Sequence, residues 1–133
     1  MPYIQEANKI CRFGEKVFNV AECIPVVGAL TSIGRIQGSY LQEIIAICTI
    51  AAGSFTLMAA LVSKNNEQKK SSRKLVVFGA EQLLHGALNT LHGWGALLLC
   101  CTGIGNVFLA IPHLINKDKF GPYVKYGVLT DPK

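Results

Sequence analysis

The sequence has few charged residues, and those it has are unevenly placed. Charged side chains make up 16% of the 133 residues and hydrophobic ones 50%, whereas soluble domains carry about 25% charge. No charge occurs in residues 44–62 or in residues 94–115. This composition and the two uncharged runs are more typical of a membrane protein than of a water-soluble domain.

The short motifs of common enzyme classes are also missing. There is no G-x-S-x-G, no H-E-x-x-H and no glycine-rich phosphate-binding loop. His85 and His92 share a helical face, but seven residues place them about 10.5 Å apart along the axis, too far to bind one metal ion. We therefore predict a protein that is not an enzyme and has no catalytic residue, metal site or cofactor.

The cysteines show no metal-binding or redox spacing. None of the five forms a C-x-x-C motif, and Cys48, Cys100 and Cys101 lie inside the most apolar segments. Such cysteines usually pack as small hydrophobic side chains. Residues 1–16 are polar and charged, which is not the pattern of a cleaved signal peptide.

The net charge of +5 raises the question of nucleic acid. The basic residues form three clusters separated by apolar segments, without interleaved aromatic residues, so we predict no nucleic-acid binding. Residues 64–74 hold five basic residues and one acidic residue, and this composition predicts a solvated loop. We expect the loop to contact anionic lipid headgroups through Lys64, Lys69, Lys70, Arg73 and Lys74.

Hydrophobic patterning predicts helices throughout. Residues 44–62 would extend about 28 Å as a helix, which matches the hydrocarbon core of a bilayer. Residues 94–115 form a second candidate span that begins at an interfacial Trp94. Residues 17–36 are mostly apolar and either enter the membrane or lie on it, and residues 75–92 predict an amphipathic helix. The polar stripe of that helix consists of Glu81, Gln82, His85, Asn89 and His92.

A short repeat suggests how these helices are arranged. Residues 28–33, "GALTSI", align with residues 86–91, "GALNTL", and each copy precedes an uncharged run. The repeat favours an all-α integral membrane protein of four helices in two helical hairpins, 17–63 and 75–115, which turn at 37–39 and 93–95. Around them lie a polar segment (1–16), the basic loop (64–74) and an irregular basic tail (116–133).

The charge distribution supports this topology. With two hairpins, every Lys and Arg except Arg35 lies on one face of the membrane, and the positive-inside rule places the loop and both termini in the cytoplasm. Glu22 and Glu81 are then expected near the headgroups, where a charge costs little.

Small residues at four-residue spacing predict close packing of helices, either within the chain or between copies of it. They form three pairs: Gly28 with Ser32, Gly34 with Gly38, and Gly86 with Thr90.

Two stretches, "IPVVGALTSIGRIQG" and "HGALNTLHGWGALLL", resemble small hydrophobic membrane proteins of chlamydiae and related bacteria. The two hydrophobic lobes are similar to those of chlamydial inclusion membrane proteins. The resemblance implies a membrane protein of host-associated bacteria, with no catalytic residues to transfer.

Three functional hypotheses follow. The first is a non-enzymatic membrane protein that organises a membrane or mediates protein–protein interaction at it, with the bilayer and a protein or a second copy as partners. The second is an oligomeric channel whose lumen is lined by the His85, Asn89 and His92 stripe. The third is a soluble helical protein with a buried hydrophobic core.

Overall fold

The described part of the chain folds into four helices. The computed structural model describes residues 2–24, 26–115 and 120–130. Within these ranges lie α1 (Pro2–Glu22), α2 (Val27–Val62), α3 (Asn66–Cys101) and α4 (Gly105–Ile115), and no strand occurs. The predicted all-α class and the number of helices are confirmed.

One long antiparallel hairpin, formed by α2 and α3, organises the fold. Each of these helices has 36 residues, a length of about 54 Å. Gly53 lies against Val76 near the tip of the hairpin, and Gly93 lies against Ile36 towards its open end. Helix α1 packs on α2, and α4 packs on α3.

A seam of small buried residues explains why the two helices pair along most of their length. A seven-residue period keeps one stripe of each helix facing the other, and small side chains let the backbones approach closely. At Gly79, a Cβ atom would lie 2.7 Å from Ile50 Cγ1 and 3.1 Å from the Ala46 carbonyl oxygen. The seam residues are Ser32, Ser39, Ala46, Gly53 and Ala60 on α2, and Ser72, Gly79, Gly86 and Gly93 on α3.

The two predicted hairpin turns are wrong, and so is the two-hairpin arrangement built on them. Residues 37–39 lie inside α2, and residues 93–95 lie inside α3. Ser39 and Gly93 belong to the seam, and a Cβ atom at Gly93 would lie 2.7 Å from Ile36 Cγ1. Gly93 therefore serves close packing between helices rather than a change of chain direction.

The predicted basic loop at 64–74 is mostly helical. The chain reverses within residues 63–65, where Lys64 has a φ of 52°, and α3 begins at Asn66. The Asn65 side chain caps the helix by accepting a hydrogen bond from the Gln68 amide at 3.2 Å. Lys, Arg, Gln and Glu are good helix formers, so a capped segment of this composition forms helix although it is strongly charged.

The predicted second span at 94–115 is broken in two. Helix α3 ends at Cys101, and Gly103 takes a φ of 73° just beyond it, as glycine does after a helix C-terminus. At Gly105 a Cβ atom would come within 2.0 Å of the Leu99 carbonyl oxygen. The two glycines thus end one apolar helix and let α4 turn back against it.

The interior of this fold is polar and its surface is apolar. Among the described residues, only six hydrophobic side chains are buried, compared with thirteen polar or charged ones. Large side chains such as Leu30 (70% exposed), Phe55 (74%) and Leu98 (69%) point outwards. Water-soluble domains show the opposite distribution, with aliphatic residues inside and charged residues outside.

Helix α2 is the one described helix that is long and apolar enough to cross a membrane. Only 17% of its most apolar 18-residue window is buried inside the protein. The predicted span at 44–62 lies within this helix. Helix α4 is apolar too but has only 11 residues.

Enlarging a seam glycine should separate the long helices. We expect Gly79→Leu to lower the free energy of unfolding by about 1–3 kcal/mol, because the new side chain meets Ile50 and the α2 backbone. The control is Gly38→Ala, where a Cβ atom meets nothing within 4 Å and helix propensity gains about 0.5–1 kcal/mol. Thermal unfolding of the purified protein in detergent compares them, and equal melting temperatures for the two variants would contradict the seam.

Candidate functional site

A buried guanidinium lies where three helices meet. Arg35 of α2 is 2% exposed, and its Nε donates to Glu22 Oε1 at 2.8 Å. Its Nη1 donates to Asn89 Oδ1 of α3 at 3.0 Å, and its Nη2 donates to Asn19 Oδ1 of α1. A buried charge of this kind is stable only with its counter-charge and hydrogen bonds in place.

Glu22, the last residue of α1, serves as the counter-charge. It is 1% exposed, and its second carboxylate oxygen lies 3.0 Å from His92 Nε2 of α3. The Asn106 side chain of α4 donates to the Glu22 carbonyl oxygen at 2.7 Å. Helices α1 to α4 therefore all meet at this one residue.

Asn89 extends the network towards the middle of α1. Its side-chain amide donates to Glu15 Oε1 while its carbonyl oxygen accepts from Arg35. Glu15, Asn19 and Glu22 occupy one face of α1, at the three- and four-residue spacing of a helical stripe. The inward face of α1 is therefore its polar face.

A second polar cluster holds the segment 120–130 against α3. Glu81 is 2% exposed and accepts hydrogen bonds from the Gly127 amide at 2.6 Å and from the Thr130 hydroxyl at 2.9 Å. His85 stacks on Tyr126, with ring centroids 3.7 Å apart and an interplanar angle of 10°.

The beginning of the same segment is attached to α1 and α4. Asn19 donates to the carbonyl oxygens of Phe120 and Gly121 at 3.2 and 3.1 Å. The Tyr123 hydroxyl lies 3.1 Å from His113 Nε2. Segment 120–130 is irregular but packed, and residues 116–119 and 131–133 of the predicted tail lie outside the described residues.

The residues of the predicted polar stripe all face inwards. Glu81, Gln82, His85 and Asn89 are buried, and His92 is half-buried. Glu22 and Glu81, which we expect near the headgroups, are both enclosed by donors from other elements of the chain. Arg35 likewise lies inside the bundle and not at a hairpin tip.

The residues predicted to pack helices lie in different environments. A Cβ atom at Gly28 would lie 2.7 Å from both Asn106 Nδ2 and the Glu22 carbonyl oxygen, and one at Gly86 would lie 2.6 Å from Glu43 Cγ. Ser32 is fully buried and bonded to the Gly28 carbonyl oxygen, and Thr90 donates to Glu43 Oε1 at 2.8 Å. Gly34 makes only an ordinary contact, and Gly38 meets no neighbour within 4 Å.

The basic residues predicted to contact headgroups cluster at the start of α3. Lys64, Lys70, Arg73 and Lys74 are exposed, and Lys69 is half-buried. All five cysteines are free. Within the described part of the chain, no group of three or more His, Cys, Asp or Glu side chains could hold a metal ion.

The chain matches no protein-family model, no curated protein and no solved structure. The groups at the centre of the bundle are hydrogen-bonded to one another, and the bonds at Glu22, Arg35 and Asn106 join all four helices.

Sequence analysis missed three contributors to this interior, namely Glu15, Asn19 and Tyr126. A usable signal was present on α1, where Glu15, Asn19 and Glu22 repeat with helical spacing. The apolar stripe beside it, with Ile10, Phe13 and Val17, suggests an ordinary hydrophobic inner face. In the structure this apolar stripe is exposed instead.

Removing the Arg35 guanidinium should lower the free energy of unfolding. We expect Arg35→Met to lower stability by about 3–5 kcal/mol, because Glu22 is left as a buried charge without its partner. Arg73→Met removes an exposed charge and should stay within about 0.5 kcal/mol of the parent. Chemical denaturation followed by circular dichroism measures both, and equal effects of the two substitutions would contradict the role of Arg35.

The pH dependence of stability should report on Glu15. Burial raises the pKa of this carboxyl above its ordinary 4.5, although side-chain hydrogen bonds with Asn89 and Tyr126 and the nearby charges of Arg35 and His92 oppose the shift. The folded state then binds the Glu15 proton more tightly than the unfolded state, so the contribution of this carboxyl to stability is fully present below pH 4.5 and is lost as pH rises through the raised pKa.

Glu15→Gln should therefore flatten the acid side of the profile of melting temperature against pH, while Glu6→Gln on the exposed face of α1 should leave the profile unchanged. A Glu15→Gln profile that overlays the parent at every pH would refute this assignment.

Proposed function

We propose that the chain is a non-enzymatic integral membrane protein that organises a membrane or mediates protein–protein interaction at it. Helix α2 crosses the bilayer, and α3 returns beside it. The sequence resemblance to small hydrophobic proteins of chlamydiae supports a place in the membrane of a host-associated bacterium.

The observation that carries this proposal is the reversed distribution of polarity. In hydrocarbon, polar groups must be satisfied within the protein, and ionisable residues face the bundle interior and pair there. Arg35, Glu22 and Glu81 follow this rule, while Leu30, Phe55 and Leu98 remain exposed. In water, an apolar surface this extensive would promote aggregation.

The arrangement of basic residues supports the expected sidedness. Leu129 and Thr130 line a shallow groove together with Lys69, Lys70 and Arg73, so the end of the described tail lies beside the basic start of α3. Both then occupy the same side of the membrane, and the positive-inside rule assigns that side to the cytoplasm. Anionic headgroups are the matching lipid partners.

Helix α1 supports interaction at the membrane surface. Beside its exposed apolar stripe runs a charged stripe of exposed positions, in which Lys9 pairs with Glu6 at 2.8 Å. A helix with adjacent apolar and charged stripes is typical of the boundary between lipid and water. The charged stripe consists of Glu6, Lys9, Arg12 and Lys16.

The channel hypothesis receives less support. His85 stacks on Tyr126, Asn89 binds Arg35 and Glu15, and His92 contacts Glu22. These side chains are therefore occupied inside one chain instead of facing a lumen between copies. We expect reconstituted vesicles to remain tight to protons and potassium ions from about pH 5 to 8, and a histidine-dependent leak would favour the channel instead.

The native Cys48 offers a direct test of membrane residence. It is exposed on α2, so a water-soluble maleimide should react with it if water surrounds the helix. We expect Cys48, kept as the only cysteine, to resist labelling in membranes opened on both sides and to react after denaturation in SDS.

The matched control carries its only cysteine at Asn66→Cys, an exposed position at the start of α3, and should be labelled without SDS. Equal labelling of the two positions in the opened membranes before SDS is added would support the soluble alternative.

A further inference from the structure

The basic groove at the start of α3 has a volume of about 530 Å³ and is bounded by the end of segment 120–130. Four cationic side chains line it, and among the described residues no acidic side chain does. Asn66 and Thr130 add polar groups, while Val77 and Leu129 make part of the lining apolar. The four cations are Lys69, Lys70, Arg73 and Lys74.

These four cations share no counter-charge within the described part of the chain. None of the ion pairs found there involves a residue of the groove. Glu67, the acidic residue in the first turn of α3, lines a neighbouring groove instead. Because like charges held close together repel one another, the basic groove favours an anion that several of the cations can share.

An exposed apolar stripe continues from the groove along α3. Val77, Leu84, Leu88 and Leu91 are 38%, 50%, 40% and 70% exposed. Spacings of seven, four and three residues place them on one face of the helix, and Lys70 lies on the same face seven residues before Val77. Residues 77–88 extend about 16 Å, which is half of the hydrocarbon thickness of about 30 Å and so the depth of one leaflet. We call these four apolar residues the α3 stripe.

We infer that the basic groove binds one phospholipid whose headgroup phosphate carries more than one negative charge. The phosphate oxygens accept charge-assisted hydrogen bonds from the four cations, and the Thr130 hydroxyl is a further donor at the same groove. One acyl chain lies along the α3 stripe. The path of the acyl chain rests on the proposed membrane location, whereas the selection of headgroup charge does not.

The number of cations selects among phospholipid headgroups. A phosphate monoester carries a charge of about −1.5 to −2 at pH 7 and has three acceptor oxygens. A phosphodiester carries a single negative charge, and a choline group cancels even that charge. The monoester therefore compensates more of the four cations and accepts hydrogen bonds from more of them at once.

Photolabelling in detergent tests the site. The purified chain, in dodecyl maltoside micelles that carry no phosphate, is irradiated at about pH 7 with a phosphatidate whose acyl chain bears a diazirine. Mass spectrometry maps the labelled residues. We expect labelling of the α3 stripe that excess unlabelled phosphatidate suppresses. Phosphatidylglycerol, with one negative charge, should compete about fivefold less effectively, and phosphatidylcholine at least about tenfold less effectively.

Substitutions of exposed cations separate binding from folding. Lys70→Gln and Arg73→Gln should each weaken phosphatidate binding about fivefold, while their melting temperatures stay at that of the parent because both side chains are exposed. The matched control is Lys125→Gln, which removes the same charge from an exposed position of segment 120–130 that does not line the groove. Its phosphatidate affinity should equal that of the parent.

Other outcomes would overturn the inference. Equal competition by phosphatidylglycerol would contradict the selection for a doubly charged headgroup, and equal competition by inorganic phosphate would show a site for a free anion instead of a lipid. An equal loss of affinity in Lys125→Gln would show attraction by net charge alone. Because the assay uses micelles, any of these results can occur while Cys48 remains protected in membranes, so failure of the lipid site is distinguishable from failure of the proposed function.

Discussion

The ion pair between Arg35 and Glu22 is the constraint on which the rest of the fold depends. A guanidinium and a carboxylate enclosed in protein each need further hydrogen bonds, and Asn19, Asn89 and His92 provide them. Because the pair joins α1 to α2 and its partners come from α1 and α3, satisfying the pair fixes how the three helices lie against one another. The Glu22 carbonyl oxygen then holds α4 through Asn106.

The small-residue seam and the polar network stabilise different parts of the bundle. Between α2 and α3, the seven-residue repeat allows contact so close that backbone atoms meet the neighbouring helix, as at Gly79. Helix α1 and segment 120–130 are held instead by side-chain hydrogen bonds at Glu15, Asn19 and Glu81. Neither device depends on large buried aliphatic side chains, so these side chains are free to face outwards.

Sequence reasoning correctly predicted helical structure and the long apolar run, since both follow from composition and periodicity. Sequence reasoning failed where one residue type is compatible with two different structural roles. Gly93 was interpreted as a turn residue, although glycine also permits close helix contact, and only the partner helix decides between these roles. The basic segment was assigned to a loop because it is charged, yet Asn65 caps it as a helix. Charge placement along the sequence puts Glu22 near the headgroups and Arg35 at a hairpin tip. The pairing of these two residues appears only in three dimensions.

We propose that lipid covers the outer surface of a bundle whose interior is polar. Trp94, the single tryptophan, is 49% exposed on α3 and reports on that surface without any substitution. In reconstituted vesicles, we expect lipids with brominated acyl chains to quench its fluorescence strongly and aqueous iodide to quench it little. Strong quenching by iodide with none by the brominated lipids would show that water, not lipid, covers this surface.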